Sequence, residues 1–208
     1  MSALRHSPLS PVGLAISEEA GVLGEIGHEH VFVAVWDRLS PVGADVVALA
    51  CQQRMAVRSW VDMDHGVAGS LQHLIPGDAF TELRQDVQLL SEMMACLFGV
   101  SGVGVRVTAL EKPMCPRFHV DRIPARMLCT YGGPGSQWLP ADAVTETLLL
   151  PGQDQQGCYR EDSLEQLQAG QVALFKGDTW RDNHGQGVVH RSPPVTPGQQ
   201  RLLVTLDI

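Results

Sequence analysis

The sequence predicts an α+β fold: a β sandwich or jelly roll in the second half, with a mainly helical first half packed on it. Three observations predict it. Helical periodicity dominates residues 1–100, short β-rich runs punctuated by turn residues fill residues 101–208, and no low-complexity linker or internal repeat divides the 208 residues. One domain of this length is long enough to bury a substantial core.

Taken in order, Ser17 to Ile26 reads as a short, glycine-weakened helix, His30 to Trp36 as a strand and Gly43 to Val57 as a second helix. The clearest helix follows. Phe80, Leu83, Val87, Leu90, Met94 and Leu97 recur at steps of three and four, with Asp78 as N-cap, Glu82 in the first turn and Gly99 at the C-terminal position. That stripe is core packing. Seven strands are expected after it: Val103 to Glu111, Phe118 to Asp121, Ala125 to Tyr131, Thr145 to Leu150, Gln171 to Phe175, Gly187 to Arg191 and Gln200 to Leu206. Gly132-Gly-Pro-Gly135, Pro151-Gly152 and Lys176-Gly-Asp178 supply the corners. The last two strands are expected to close a hairpin over Pro193 to Gly198, in the register that sets His190 opposite Arg201.

Composition narrows the function. A net charge of −8 argues against a nucleic-acid surface or an anionic membrane surface, because both attract basic patches. The five cysteines (Cys51, Cys96, Cys115, Cys129, Cys158) are scattered without a Cys-x-x-Cys pair, which fits a reducing compartment. Prolines at 8 and 11 and the pair Glu18-Glu19 interrupt any apolar leader, and no window approaches a membrane span, so a cytoplasmic location is expected.

The chemistry concentrates at His119-Val-Asp121, followed 69 residues after the aspartate by His190 and then by Arg201. Residues two apart on a strand share a face, so His119 and Asp121 would aim their donor atoms into one space. Two imidazoles and a carboxylate are the ligands of an iron facial triad, which leaves positions open for oxygen and an organic co-substrate. The tripeptide alone is weak, since a chain of this composition holds about 0.5 of them by chance. Its weight comes from the distal histidine and the arginine. Arg201 would supply a bidentate grip on a carboxylate beside the metal.

Cys115 is a possible fourth ligand, which would close a Cys-His-Asp-His set suited to zinc. Tyr131, Thr205 and Arg126 are candidates to line the same cavity and contact a cofactor. His184, in a glycine-flanked loop, is placed at the surface or on the substrate side, and His28-Glu-His30 is read as solvated.

Two resemblances bear on these residues. Met114-Cys-Pro-Arg-Phe-His-Val-Asp-Arg122, Leu128-Cys-Thr-Tyr-Gly-Gly-Pro-Gly-Ser-Gln-Trp-Leu139, Phe175-Lys-Gly-Asp178, Gly187-Val-Val-His-Arg-Ser-Pro-Pro194 and Arg201-Leu-Leu-Val-Thr-Leu-Asp207 resemble a bacterial family known only as a domain of unknown function. The likeness spans roughly residues 30 to 208, and it implies a genomic setting often beside zinc-responsive genes. More loosely, His119, Asp121, His190 and Arg201 resemble the pattern of the iron- and 2-oxoglutarate-dependent oxygenases. That likeness implies a cupin-like, double-stranded β-helix form of the jelly roll and a ferrous centre, with Arg201 holding the distal carboxylate of 2-oxoglutarate and an unidentified primary substrate undergoing hydroxylation. Cys115 and the Cys-Pro-Arg-Phe stretch are not part of the oxygenase pattern. The alternatives are a non-catalytic zinc-binding or zinc-homeostasis protein using the same His/Asp/His site, and a degenerate scaffold that binds a protein partner.

Overall fold

Along Arg201-Leu-Leu-Val-Thr-Leu-Asp207 the side chains alternate between two faces, and the chain is buried on both, so this segment forms the middle of a sheet. A computed structural model describes residues 13–145, 147–152, 154–181, 186–196 and 198–208. The strands are β1 (Leu14–Ser17), β2 (Val33–Trp36), β3 (Ala56–Asp62), β4 (Gly102–Leu110), β5 (Ala125–Gly132), β6 (Gln137–Leu139), β7 (Glu165–Gln166), β8 (Val172–Lys176), β9 (Val189–Arg191) and β10 (Arg201–Asp207). Seven build a major sheet in the order β1-β2-β8-β5-β10-β4-β3, antiparallel except for the β1–β2 pair, and three build a minor sheet in the order β7-β6-β9. The fold is therefore mixed α+β, dominated by a large antiparallel sheet.

Helices α1 (Ala44–Gln52), α2 (Val67–Leu74) and α3 (Thr81–Phe98) cover one face of the major sheet. On α3, Phe80 at its entry and then Leu83, Val87, Leu90 and Met94 are buried, each such side chain contributing about 1.5–3 kcal/mol of burial. Leu97, expected to continue that stripe, is 39% exposed. Gly99 ends the helix at φ 61°, where its N–H bonds to the Ala95 carbonyl and a glycine carries no steric penalty. Asp78 does not cap the helix. It opens a single 3-10 turn, and its carbonyl accepts from the Thr81 hydroxyl at 2.7 Å.

Against the helices the major sheet presents Met127, Cys129, Tyr131, Leu202, Val204 and Leu206. A second core lies on the other face, between the sheets, where Val33, Val35, Leu128, Phe175 and Leu203 meet Trp138 and Val188. A third, smaller cluster of Phe118, Leu139, Ala143, Leu148, Cys158 and Val189 closes the outside of the minor sheet.

Several expectations are corrected. The first hundred residues contribute β1 and β3 to the major sheet besides the expected strand β2 and the helices. Within the expected helix of residues 43–57, α1 ends at Gln52, and Ala56 already opens edge strand β3. The segment read as a helix from Ser17 to Ile26 is a 3-10 helix, Ala20–Gly27. The expected strand over 145–150 is a run of turns among its described residues, while β6 and β7 were not anticipated. Most consequentially, β9 and β10 do not form a hairpin: β9 pairs with β6, and β10 lies between β4 and β5 in the other sheet. The connection Ser192-Pro-Pro-Val-Thr-Pro-Gly-Gln-Gln200 is the reason, since its three prolines cannot donate to a ladder, and the chain uses it to cross between sheets.

One buried polar knot ties α3 to the sheet. Asp86 accepts two bonds from Arg38, at 2.7 and 2.6 Å, and a third from the Tyr131 hydroxyl at 2.6 Å. Burial pushes the Tyr131 phenol far above its ordinary range, so it stays a donor. Asp86→Ala would strip Arg38 of its carboxylate and the Tyr131 phenol of its acceptor, leaving Arg38 its Nε bond to the Gly170 carbonyl, and we expect urea denaturation to show a loss of about 3–5 kcal/mol.

Candidate metal centre

Between β4 and β5 the chain crosses the end of the minor sheet, and residues 118–121 are held there position by position. Phe118 exchanges two hydrogen bonds of 2.8 Å with the side-chain amide of Gln155. His119 exchanges two of 3.0 Å with the backbone of His190, and the Asp121 carbonyl accepts from Asp178 N at 3.0 Å. Instead of the expected continuous strand there is one isolated bridge, His119 to His190, yet the alternation of side chains is preserved. Val120 points to the other side, against Gly187, where an added Cβ would collide with its methyl. Gly177 is equally close, because a Cβ there would strike the carbonyls of Asp121 and Ile123.

The bridge sets the two imidazoles side by side, with ring centroids 4.5 Å apart, and the edge of Phe175 packs on His190 at 5.4 Å. Each Nδ1 is bonded at 2.9 Å to a backbone carbonyl, that of Arg117 for His119 and that of Val188 for His190. A carbonyl can only accept, so Nδ1 keeps its hydrogen in both rings, and in the neutral form of either ring Nε2 is left with a lone pair. Those Nε2 atoms face Asp121, at 3.7 Å from Oδ1 for His119 and 3.2 Å from Oδ2 for His190. One donor atom from each of the three residues lies within 4.8 Å of the others. Two neutral nitrogens and one carboxylate oxygen fit a divalent transition metal bound on one side only.

The electrostatics keep this set ready for a cation. Burial, helped by the neighbouring His190, holds His119 below the ordinary imidazole value, which favours the neutral form. Burial would raise the Asp121 carboxyl, but the His190 hydrogen bond and the His190, Arg126 and His119 charges outweigh it and hold the group below the usual carboxylate range. Arg126 donates to Asp121 Oδ2 at 2.7 Å and to both oxygens of Asp207 at 2.6 and 2.9 Å, so it fixes the orientation of the carboxylate.

Arg201 is fully buried on the face of β10 that looks toward the minor sheet. Its Nε donates to the Pro134 carbonyl at 2.6 Å, whereas Nη1 and Nη2 have no partner among the described residues. Desolvation pulls this guanidinium down to about 10. Thr205 is on the same face, and Thr130, opposite Leu203, shares it; both hydroxyls are buried without a partner. Thus four of the five unpartnered buried side-chain atoms among the described residues cluster on one face of β5 and β10, where a polar guest would satisfy them. Thr205, Leu203 and Leu128 lead along this face to a small cavity shared with His119, His190 and Arg126.

Other candidates fall elsewhere. Tyr131 lies on the helix-covered face of β5 and is bonded to Asp86, so it does not line this space. Strand parity could have shown this, because residues 126 and 131 face opposite ways. Arg126 is committed to carboxylates of the protein. Cys115 is exposed and does not join the three-ligand cluster; its backbone pairs with Ser192, and only its position at the cavity rim connects it to the site. His184 lies outside the described residues, and His28 is exposed beside Glu25. Thr130 and Arg106 were missed. The same parity that joins Arg126 to Thr130, read across the pairing of Arg106 with Thr205, would have found both.

No curated protein is similar to this chain. A putative oxygenase from Shewanella oneidensis has a similar structure, with a TM-score of 0.51 and 12% sequence identity, over 95% of this chain and 89% of that one. A Pseudomonas putida prolyl-4-hydroxylase aligns at a TM-score of 0.48 and 16% identity, over 97% and 98% of the two chains. A 2OG-Fe(II) family oxidoreductase from Burkholderia pseudomallei aligns at 0.43 and 11%, over 90% and 89%. Residues 17–207 match the model of the family described as protein of unknown function (DUF1826), and with nearly its whole length matched the chain belongs to that family.

Proposed function

We propose that this protein is an iron(II)- and 2-oxoglutarate-dependent oxygenase on a jelly-roll scaffold, hydroxylating a primary substrate yet to be identified. One observation carries the reading: the buried, unpartnered donors of Arg201, Thr205 and Thr130 share a sheet face that leads to the His119, Asp121 and His190 donor set. A desolvated guanidinium with two idle nitrogens costs several kcal/mol, and a dicarboxylate reaching from the metal would relieve that cost. Iron(II) with 2-oxoglutarate supplies the oxygen-activating redox chemistry. The chain's own residues supply position. His119 and His190 present fixed Nε2 atoms, Asp121 presents an ionised oxygen held by Arg126, and Arg201 with Thr205 receives the far carboxylate of the co-substrate. Leu128, Leu203 and Phe175 exclude water along the way. A closed four-ligand zinc site is less well supported, because Cys115 stands apart from the donor cluster.

Anaerobic calorimetry with iron(II) and 2-oxoglutarate tests this. His119→Ala and His190→Ala should lose stoichiometric metal. Arg201→Met should retain metal, lose 2-oxoglutarate binding, and unfold at higher urea in the absence of ligand, with a gain of about 1–3 kcal/mol. Retained 2-oxoglutarate affinity in Arg201→Met would contradict the assignment. Arg126→Gln should weaken metal binding about 10–100-fold without abolishing it, since it orients a ligand and is not one.

A pH titration of metal affinity gives an independent check. Because the folded His119 sits below the ordinary imidazole value of about 6.5, its neutral form persists as pH falls through that value. Metal affinity should therefore fall as pH is lowered, with the His119 part of the fall coming below about pH 6.5 and the Asp121 part lower still.

A further inference from the structure

The minor sheet covers only part of the major sheet: beyond β10, Gly104 and Arg106 on the inner face of β4 are half-buried, and Arg58 and Trp60 of β3 are exposed. Two rows of side chains run outward there from the donor cluster. One row passes from Leu128 through Thr205 and Arg106 to Arg58, the other from Arg126 through Asp207 and Gly104 to Trp60. With strands about 4.8 Å apart, Arg106 is one strand and Arg58 two strands from Thr205. Arg106 also lines the cavity that holds His119 and His190.

Two features of this apron have no structural explanation. Arg58 and Arg106 stand directly opposite each other, an arrangement in which like charges repel, and neither has a carboxylate partner among the described residues. The two nearby acids on the same face are already engaged, Asp207 by Arg126 and Asp62 by Asp64 N at 2.8 Å and His65 at 3.1 Å. Beside the arginine pair, Trp60 is 63% exposed, and its indole lies flat over Gly102, where a Cβ would come within 2.5 Å of Nε1. In a protein of net charge −8, two facing arginines next to a flat, open aromatic surface form a local reversal of charge.

We propose that this apron is the substrate subsite: Arg58 and Arg106 bind the anionic group, carboxylate or phosphate, of a small organic acid whose apolar or aromatic body lies on Trp60. The inference rests on the oxygenase reading above, because it names what that site acts on. Arginine pairs grip either anion bidentately, and the exposed indole favours a flat apolar partner.

Phenyl phosphate, phenylacetate and uncharged benzyl alcohol test it as probes on protein loaded with zinc(II) and 2-oxoglutarate. The readout is the indole N–H resonance of Trp60, assigned by its loss in Trp60→Phe. We expect a saturable shift with one or both anions, the stronger revealing the preferred head group, and none with benzyl alcohol. Arg58→Gln and Arg106→Gln should each weaken the shift at least tenfold, and Arg58→Gln carries the test alone if the other variant does not fold. Absence of an anion-dependent shift would overturn the proposal. So would a shift abolished by Arg201→Met but untouched by Arg58→Gln, or binding only of an acidic peptide or oligonucleotide. Calorimetry of 2-oxoglutarate separates the two readings: uptake without a Trp60 shift removes the subsite alone, and a Trp60 shift without uptake removes the oxygenase assignment while leaving the anion site.

Discussion

The backbone exchange between His119 and His190 is the contact on which the rest of the site depends. Two 3.0 Å bonds join a segment with no other ladder partner to the last strand of the minor sheet, and they fix the spacing of both imidazoles. Everything else refines that spacing. Gln155 steadies Phe118, the Arg117 and Val188 carbonyls fix which ring nitrogen carries hydrogen, and Arg126 turns the Asp121 carboxylate toward the rings. The site is thus assembled from backbone geometry first and side-chain electrostatics second.

The polar interior of the sheet sandwich shows the opposite economy. Leucine, valine and phenylalanine fill most of the space between the sheets, yet Arg201, Thr205 and Thr130 are left there with idle donors. Proteins bury polar atoms with partners because desolvation without one costs about 1–3 kcal/mol for a neutral group and more for a charged one. The Asp86 knot on the helix side obeys that rule, with the half-buried Arg38 and the buried Asp86 and Tyr131 mutually satisfied. The Arg38 guanidinium is satisfied on one face, and the Arg201 Nη atoms on the other have no partner among the described residues.

Much of this was legible in the residues. His119 and Asp121 share a face because strand periodicity is local, and α3 was readable because its stripe and Gly99 are local too. The partner of β9 was not legible, since pairing between sheets is decided by tertiary packing, and a proline-rich connection removed the hairpin that chain proximity suggested. Arg201 reached the expected interior face by another route, as a residue of the central strand β10. In the first half, β2 was legible within His30 to Trp36, whereas β1, Leu14–Ser17, carries too few alternations to outweigh its helical neighbour, and the mostly exposed edge strand β3 lacks the alternating apolar face that marks a strand.

Val120 gives the ligand segment a second function. Its side chain is seated against Gly187 while His119 and Asp121 on either side turn toward His190, and Gly177 presses on the backbone just beyond. The distance between the donors is therefore governed by packing behind them, in a layer that no ion touches. A site braced from the rear resists expansion, so cations of different radius would be discriminated by how little the protein yields and only secondarily by donor chemistry.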